Sequence, residues 1–283
     1  MSGRDDASGG GSKTSQVLEQ GDIFFFYRPK VEAEEVSGLE DVQRFYMVMA
    51  PEGGMYRLFV IGQKQLPGIE KGGSTPEERS WALNVLTTSN PDDIREKLLA
   101  EEYGTKTRGR RRVPAATPAG EGKYCIVSHG GDHTELAYVL ELPELPGPTQ
   151  QEFEIKKEAG YIIAVKNPDV AGGPGFERGE KPRYTAEMMK KFAGGRRWID
   201  AEPEMLDYEN TQVLLIGARE RGVQDELGIT LVDKSEAESA ARLFSELKLR
   251  KKEVPTRPLE KGRRRGGRQE KEWRLASGSR AEA

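Results

Sequence analysis

The chain has two histidines, and both fall in the stretch SHGGDHTEL, residues 128–136, with Asp132 between them. Imidazole titrates near neutral pH and ligates divalent metals, so His129 and His133 are candidates for a metal site or for general acid/base chemistry. Zn²⁺ normally takes at least three protein ligands, and Asp132, held inside a turn, is a constrained third donor. Any further ligand must be a carboxylate. The acidic stretch DAEPEMLDYEN, 200–210, offers Asp200, Glu202, Glu204, Asp207 and Glu209. The competing reading is an ordinary polar hairpin tip in which histidine is tolerated.

Arginine supplies the second kind of chemistry. TRGRRRVP, 107–114, places Arg108, Arg110, Arg111 and Arg112 together, and KGRRRGGRQEKEWR, 261–274, adds Arg263, Arg264, Arg265 and Arg268 beside Trp273. Guanidinium groups pair bidentately with phosphate oxygens, so both runs are candidate polyanion contacts. Net charge is -3, but from Lys248 onward thirteen Lys and Arg face five Glu, a balance of +8 that leaves about -11 for residues 1–247. An acidic body therefore carries a basic tail. Solvated extensions and interdomain linkers look much the same.

Self-comparison indicates the elements that hold these residues. RFYMVMAPEGGMYRLFVIGQKQLP, 44–67, aligns without a gap at an offset of 79 with KYCIVSHGGDHTELAYVLELPELP, 123–146. Each copy reads as an apolar run, a Gly-Gly turn, a second apolar run and a Leu-Pro stop. A third apolar run follows, SWALNVLTTSNPDDI in one and AGYIIAVKNPDV in the other, each closed by Asn-Pro-Asp. β-branched and aromatic residues make these runs strands. Asn90 caps a helix with Pro91 at its first position and Asp92 and Asp93 in the first turn, with Gly104 as its stop. In the second copy a Gly/Pro loop, GGPGFERGEKP, 172–182, intervenes before a short helix from Thr185 to about Phe192. That loop lacks the Gly-Lys-Ser/Thr ending of a phosphate loop. SHGGDH becomes the hairpin connection of the second copy, with Gly130 and Gly131 supplying the positive φ of a tight turn.

GDIFFFYRPKV, 21–31, and TQVLLIGAR, 211–219, flank the copies as strands buried on both faces that close or join the repeat sheets, for about eight strands in all. SEAESAARLFSELKLRKK, 235–252, carries a Ser235/Glu238 capping box and an apolar stripe through Ala237, Ala240, Ala241, Phe244 and Leu247, a docking helix or a partner surface.

The expected fold is α+β, mostly antiparallel sheets built from two related β-β-β-α units packed about a groove, with a C-terminal docked helix and a disordered basic tail. The expected divisions are a disordered 1–18, a first unit at 19–106, an Arg-rich linker at 107–121, a second unit with its insertion at 122–220, a helix at 221–253 and the disordered tail at 254–283. Apolar residues make up 35% and charged residues 32%, and no apolar run reaches the roughly 20 residues of a membrane span. The N-terminal stretch has no apolar core of a secretory signal, and the single Cys125 excludes an internal disulfide framework, so a cytoplasmic location is expected. Nucleophile-elbow, zinc-protease and dinucleotide signatures are absent. The leading expectation is a non-catalytic intracellular binding protein that contacts nucleic acid or another polyanion through the Arg-rich linker and tail. The alternatives are a metal-assisted or general acid/base hydrolase built on the His129/His133 hairpin and acidic residues, with His129, Asp132 and His133 as the candidate metal ligands, and an assembly protein that uses helix 235–250 to meet a protein partner. Whether the chain is an enzyme, and with what cofactor, the residues leave open.

Overall fold

The computed structural model describes residues 15–31, 36, 38–69, 75–105, 109–172, 179–220, 222–223, 242–250, 253 and 259. Among them are eleven strands: β1 (Ser15–Pro29), β2 (Val42–Pro51), β3 (Tyr56–Ile61), β4 (Arg79–Thr88), β5 (Glu101–Thr105), β6 (Gly109–Val113), β7 (Thr117–His129), β8 (Thr134–Leu142), β9 (Glu158–Lys166), β10 (Trp198–Asp200) and β11 (Gln212–Arg219). The α-helices are α1 (Pro91–Leu98), α2 (Pro148–Glu152), α3 (Ala186–Lys191) and α4 (Arg242–Ser245).

Eight of these strands close on themselves in the order β1-β2-β3-β4-β11-β9-β8-β7, every pairing antiparallel. β10 continues the edge of β9 beyond β8, pairing along Ala164–Lys166. The expectation of an α+β fold made of two packed β-β-β-α units is thereby corrected to a single closed barrel. Each three-strand meander, β2-β3-β4 and β7-β8-β9, leaves two unpaired edges, and an open edge is satisfied by pairing. β1 takes one edge of each meander, lying between β2 and β7, and β11 takes the other, lying between β4 and β9. The two meanders are halves of one wall, and no groove separates them.

Side-chain alternation fills this barrel. Ile23 and Phe25 of β1, Phe45, Met47 and Met49 of β2, and Tyr124 and Ile126 of β7 point inward with Tyr138 of β8 and Ile163 of β9. Phe153, just after α2, plugs one end by stacking on Phe45 at 4.9 Å and on Tyr27 at 5.0 Å. The 3-10 turn Pro203–Asp207 closes the other end with Met205 and Leu206. What remains inside, between Met47, Phe59, Leu206 and Val213, is an apolar void of about 10 Å³, no larger than a single water.

Outward-facing Phe24, Phe26, Val48 and Leu58 are equally buried, because Ile94 and Leu98 of α1 and Leu243, Leu247, Leu249 and Leu259 cover them. This is why the IFFFY run shows no polar alternation. α1 starts as its sequence dictates, with the Asn90 side chain accepting from the Asp92 amide. It ends at Leu98 rather than at Gly104, because the chain turns there into β5. The expected 235–252 helix is described only from 242: α4 is one turn long, and the Ser235/Glu238 capping box lies outside the described residues. Glu121 of β7, beside the bulge that Glu141 makes in β8, receives the amides of Arg242 and Leu243 at 2.8 and 3.1 Å, while the Arg242 guanidinium pairs with Asp22 and Glu141. No described helix is long and apolar enough to cross a membrane.

Candidate polyanion interface and histidine cluster

The run expected as a linker, 107–121, instead supplies β6 and the start of β7, and β6 forms a β-ribbon with β5, where the end of a helix was expected. β5 and β6 pair only with each other, outside the barrel ladder, and Gly109 takes the positive φ of 70° where β6 begins. Across the ladder Glu102 faces Arg112 and Gly104 faces Arg110. Arg112 is exposed and Arg111 half-buried, whereas Arg108 lies outside the described residues. Residues 101–113 carry five cations against two carboxylates, a net of +3. The root of this ribbon is held by Arg28, 3% exposed, which donates to the carbonyls of Lys97, Leu99 and Pro114. The Ala116 amide adds a bond to the Leu98 carbonyl at 2.7 Å. One buried guanidinium thus ties together the two ends of the ribbon.

The tail starts from the same place. Lys248 pairs with Asp92 at 3.0 Å, Arg95 holds Glu253 at 2.7 Å, and Leu259 is buried in the cluster that contains Leu98 and Ala116. Arg263, Arg264, Arg265 and Arg268 follow outside the described residues. α1 therefore carries the roots of both Arg-rich segments, a juxtaposition that residue spacing alone could not disclose.

The histidine hairpin is built by backbone geometry. Gly130 and Gly131 have φ of 57° and 86°, the positive pair a type I′ turn requires, and the Asp132 amide closes the turn on the His129 carbonyl at 3.0 Å. The two imidazoles stack at 4.6 Å between centroids. His129 Nε2 lies 3.2 Å from Oε2 of Glu135, and its Nδ1 lies 3.2 Å from the Ser15 hydroxyl. Glu135 is fully buried on the outer face of β8, where the Arg219 guanidinium grips it through Nε at 2.9 Å from Oε1 and Nη2 at 3.0 Å from Oε2. Gly160 makes this possible, since a Cβ there would strike the Glu135 carboxylate and the Arg219 stem.

Ligating atoms of His129, His133 and Glu135 lie within 4.8 Å of one another. Asp132 is outside that group. Glu135 is not singled out from the sequence, yet its signal is present: His133, just before β8, and Glu135, its second residue, are two apart, and alternation puts them on the same side. Of the acidic stretch only Asp200 bears on the cluster, its charge acting on His133. Asp207 pairs with Arg57, Glu202 with Lys191, and Glu209 accepts from the Thr87 amide. Burial lowers the His133 pKa, and the neighbouring His129 charge adds to the shift. Burial raises that of Asp200. Burial also pushes the Cys125 thiol up to about 12, which leaves it unreactive.

A second buried ionic group sits inside the barrel mouth. Arg57, 2% exposed, donates bidentately to Glu19 at 2.6 and 2.8 Å and through Nε to Asp207 at 2.7 Å, and the Tyr124 hydroxyl donates to Glu19 at 2.8 Å. Burial alone would lower the Arg57 pKa, but its bonds to Glu19 and the charges around it raise it. Arg57 shares the phase of Phe59 and Ile61, so strand alternation marks it as inward-facing. This network pins the closing turn Pro203–Asp207, with the Glu19 carboxylate engaged by both Arg57 and Tyr124.

No family model, no curated protein and no solved structure matches this chain.

Proposed function

We propose that this protein is a non-catalytic binding protein that grips an extended polyanion, nucleic acid foremost, between its Arg-rich ribbon and its basic tail. The observation that carries the reading is the common root of the two segments on α1, with Arg28 fixing the ribbon and Arg95–Glu253 and Leu259 fixing the start of the tail. A filled barrel supports it as well, because a ligand must then be met on the outer surface. Binding rests on charge neutralisation with counterion release, so affinity falls steeply with salt and depends little on base sequence. Trp273 adds a surface on which a base can stack.

Fluorescence anisotropy with a single-stranded oligonucleotide over a salt series tests this. Removal of residues 261–283 is expected to abolish most of the affinity and to flatten the salt slope by roughly 0.7 per lost phosphate contact. A triple Arg108→Ala, Arg110→Ala, Arg112→Ala variant should lose less. If the segments share one ligand, each weakens the other's contribution when removed, since the second contact forms at high effective concentration. Unchanged affinity in the truncated protein at the same salt refutes the proposal.

A further inference from the structure

We infer that His129, His133 and Glu135 form a binding site for a divalent transition metal, best matched by Zn²⁺, with a fourth position left open to solvent. The inference is independent of polyanion binding.

Two imidazoles and one carboxylate are a donor set suited to Zn²⁺. Metal–ligand bonds of about 2.0–2.1 Å place neighbouring tetrahedral donors about 3.4 Å apart. His129 Nε2 and Glu135 Oε2, at 3.2 Å, already hold that spacing. His133 has to close the remainder from within 4.8 Å, and it sits half-buried at the end of the turn, stacked on His129.

The surroundings hold the ligands as metal sites require. Arg219 holds both oxygens of Glu135, Nε at 2.9 Å from Oε1 and Nη2 at 3.0 Å from Oε2, which fixes the carboxylate beside the imidazoles, and the second lone pair of Oε2 is the one that faces His129. The hydroxyl of Ser15 can accept a hydrogen bond from His129 Nδ1–H, a tautomer that leaves Nε2 as a lone-pair donor. The Arg219 charge opposes a cation, but the carboxylates of Glu135 and Asp200 both act on His133 with the opposite sign. Asp132, tied into the turn, contributes no ligand. The sealed interior of the barrel mouth supplies the contrast: Arg57 and Tyr124 there engage the Glu19 carboxylate, whereas the Glu135 carboxylate faces the half-buried His129 and His133.

The test uses the untagged full chain, stripped with chelator, titrated with Zn²⁺ by calorimetry and with Co²⁺ by visible absorption. One equivalent of Zn²⁺ per chain, and Co²⁺ bands of a low-coordinate site, are expected. His133→Ala, a change at the turn that leaves Glu135 and Arg219 paired, should weaken Zn²⁺ binding by at least the roughly 10- to 100-fold that loss of a supporting residue costs. Zn²⁺ should raise the melting temperature of the parent protein but not that of the variant. Glu135→Gln provides the second variant, with circular dichroism to verify folding. Absence of stoichiometric binding overturns the inference, as does a His133→Ala protein that binds Zn²⁺ as tightly as its parent.

Discussion

The hairpins β2–β3 and β7–β8 come from the two aligned stretches, yet they pair differently. In the first, Met49 faces Arg57 and seven residues form the connection; in the second, Ser128 faces Thr134 and five suffice. Relative to the offset of 79, the second hairpin is shifted by two residues. A shift of two preserves which side chains point inward, whereas a shift of one would have exchanged the faces. Phe59 and Tyr138 accordingly both face the interior. Their outer faces have diverged: the first lies under apolar side chains of α1 and the chain beyond Arg242, and the second buries Glu135 against Arg219. Alternation constrains the inside of a barrel, and whatever covers the outside sets the other half of the pattern.

Each hairpin also holds or adjoins a buried arginine–glutamate pair, and these give the sharpest ways to break the comparison. Arg57→Ala leaves Glu19 charged inside the barrel mouth, so urea denaturation should register a loss of about 3–5 kcal/mol. The Arg57→Met, Glu19→Gln double variant should recover part of it, and a single variant as stable as the parent would show the pair to be immaterial. Glu135→Ala should cost less, about 1–3 kcal/mol, because Arg219 is 22% exposed and can turn to water. Equal losses at the two positions would contradict the division into a sealed pair and an accessible one.

The turns should respond alike. Gly54 and Gly131 have φ of 87° and 86°, and an alanine at either position strains the backbone by about 1–2 kcal/mol without meeting any neighbour. A denaturation midpoint shifted at one turn and not the other would show that the tips are held by different forces.

The smallest expected effect is on pH. Burial, His129 and Arg219 push the His133 pKa below 6.5, and Glu135 and Asp200 oppose them less effectively. The unfolded chain then takes up the proton first. Stability is therefore full above pH 6.5 and declines as pH falls through that value toward the folded pKa. His133→Asn should flatten this acid-side slope. An NMR titration midpoint for His133 at or above 6.5 would reverse the sign.

Much of the architecture was legible. β1 and β11 are readable as strands, α1 from Asn90-Pro91-Asp92, α3 from its Thr185 cap, and the histidine turn from Gly130-Gly131; of the two flanking strands only β1 is buried on both faces, since β11 alternates buried and half-buried residues. The closed barrel is not, because two similar meanders in a sequence look like separate units, and nothing local shows that β1 and β11 match the edges of both. Arg108–Arg112 lack any hydrophobic alternation that would announce a strand, so β6 reads as part of a linker and β5 as the end of the helix before Gly104. Glu135 escaped notice because an isolated glutamate in an apolar run gives no sign of the arginine that will neutralise it.

The sequence by itself determined the local conformations: turn glycines, helix caps, the inward phase of each strand, and the division of charge between body and tail. Those depend on neighbours a few residues away. Tertiary structure alone decided that eight strands close into one filled barrel, that Arg28, α1 and Leu259 gather the roots of two basic segments, and that Arg219 meets Glu135 beside the two histidines. These are contacts between residues about 70 to 160 positions apart. They form because unpaired sheet edges and buried charges must find partners, and which partners they find depends on how the whole chain closes.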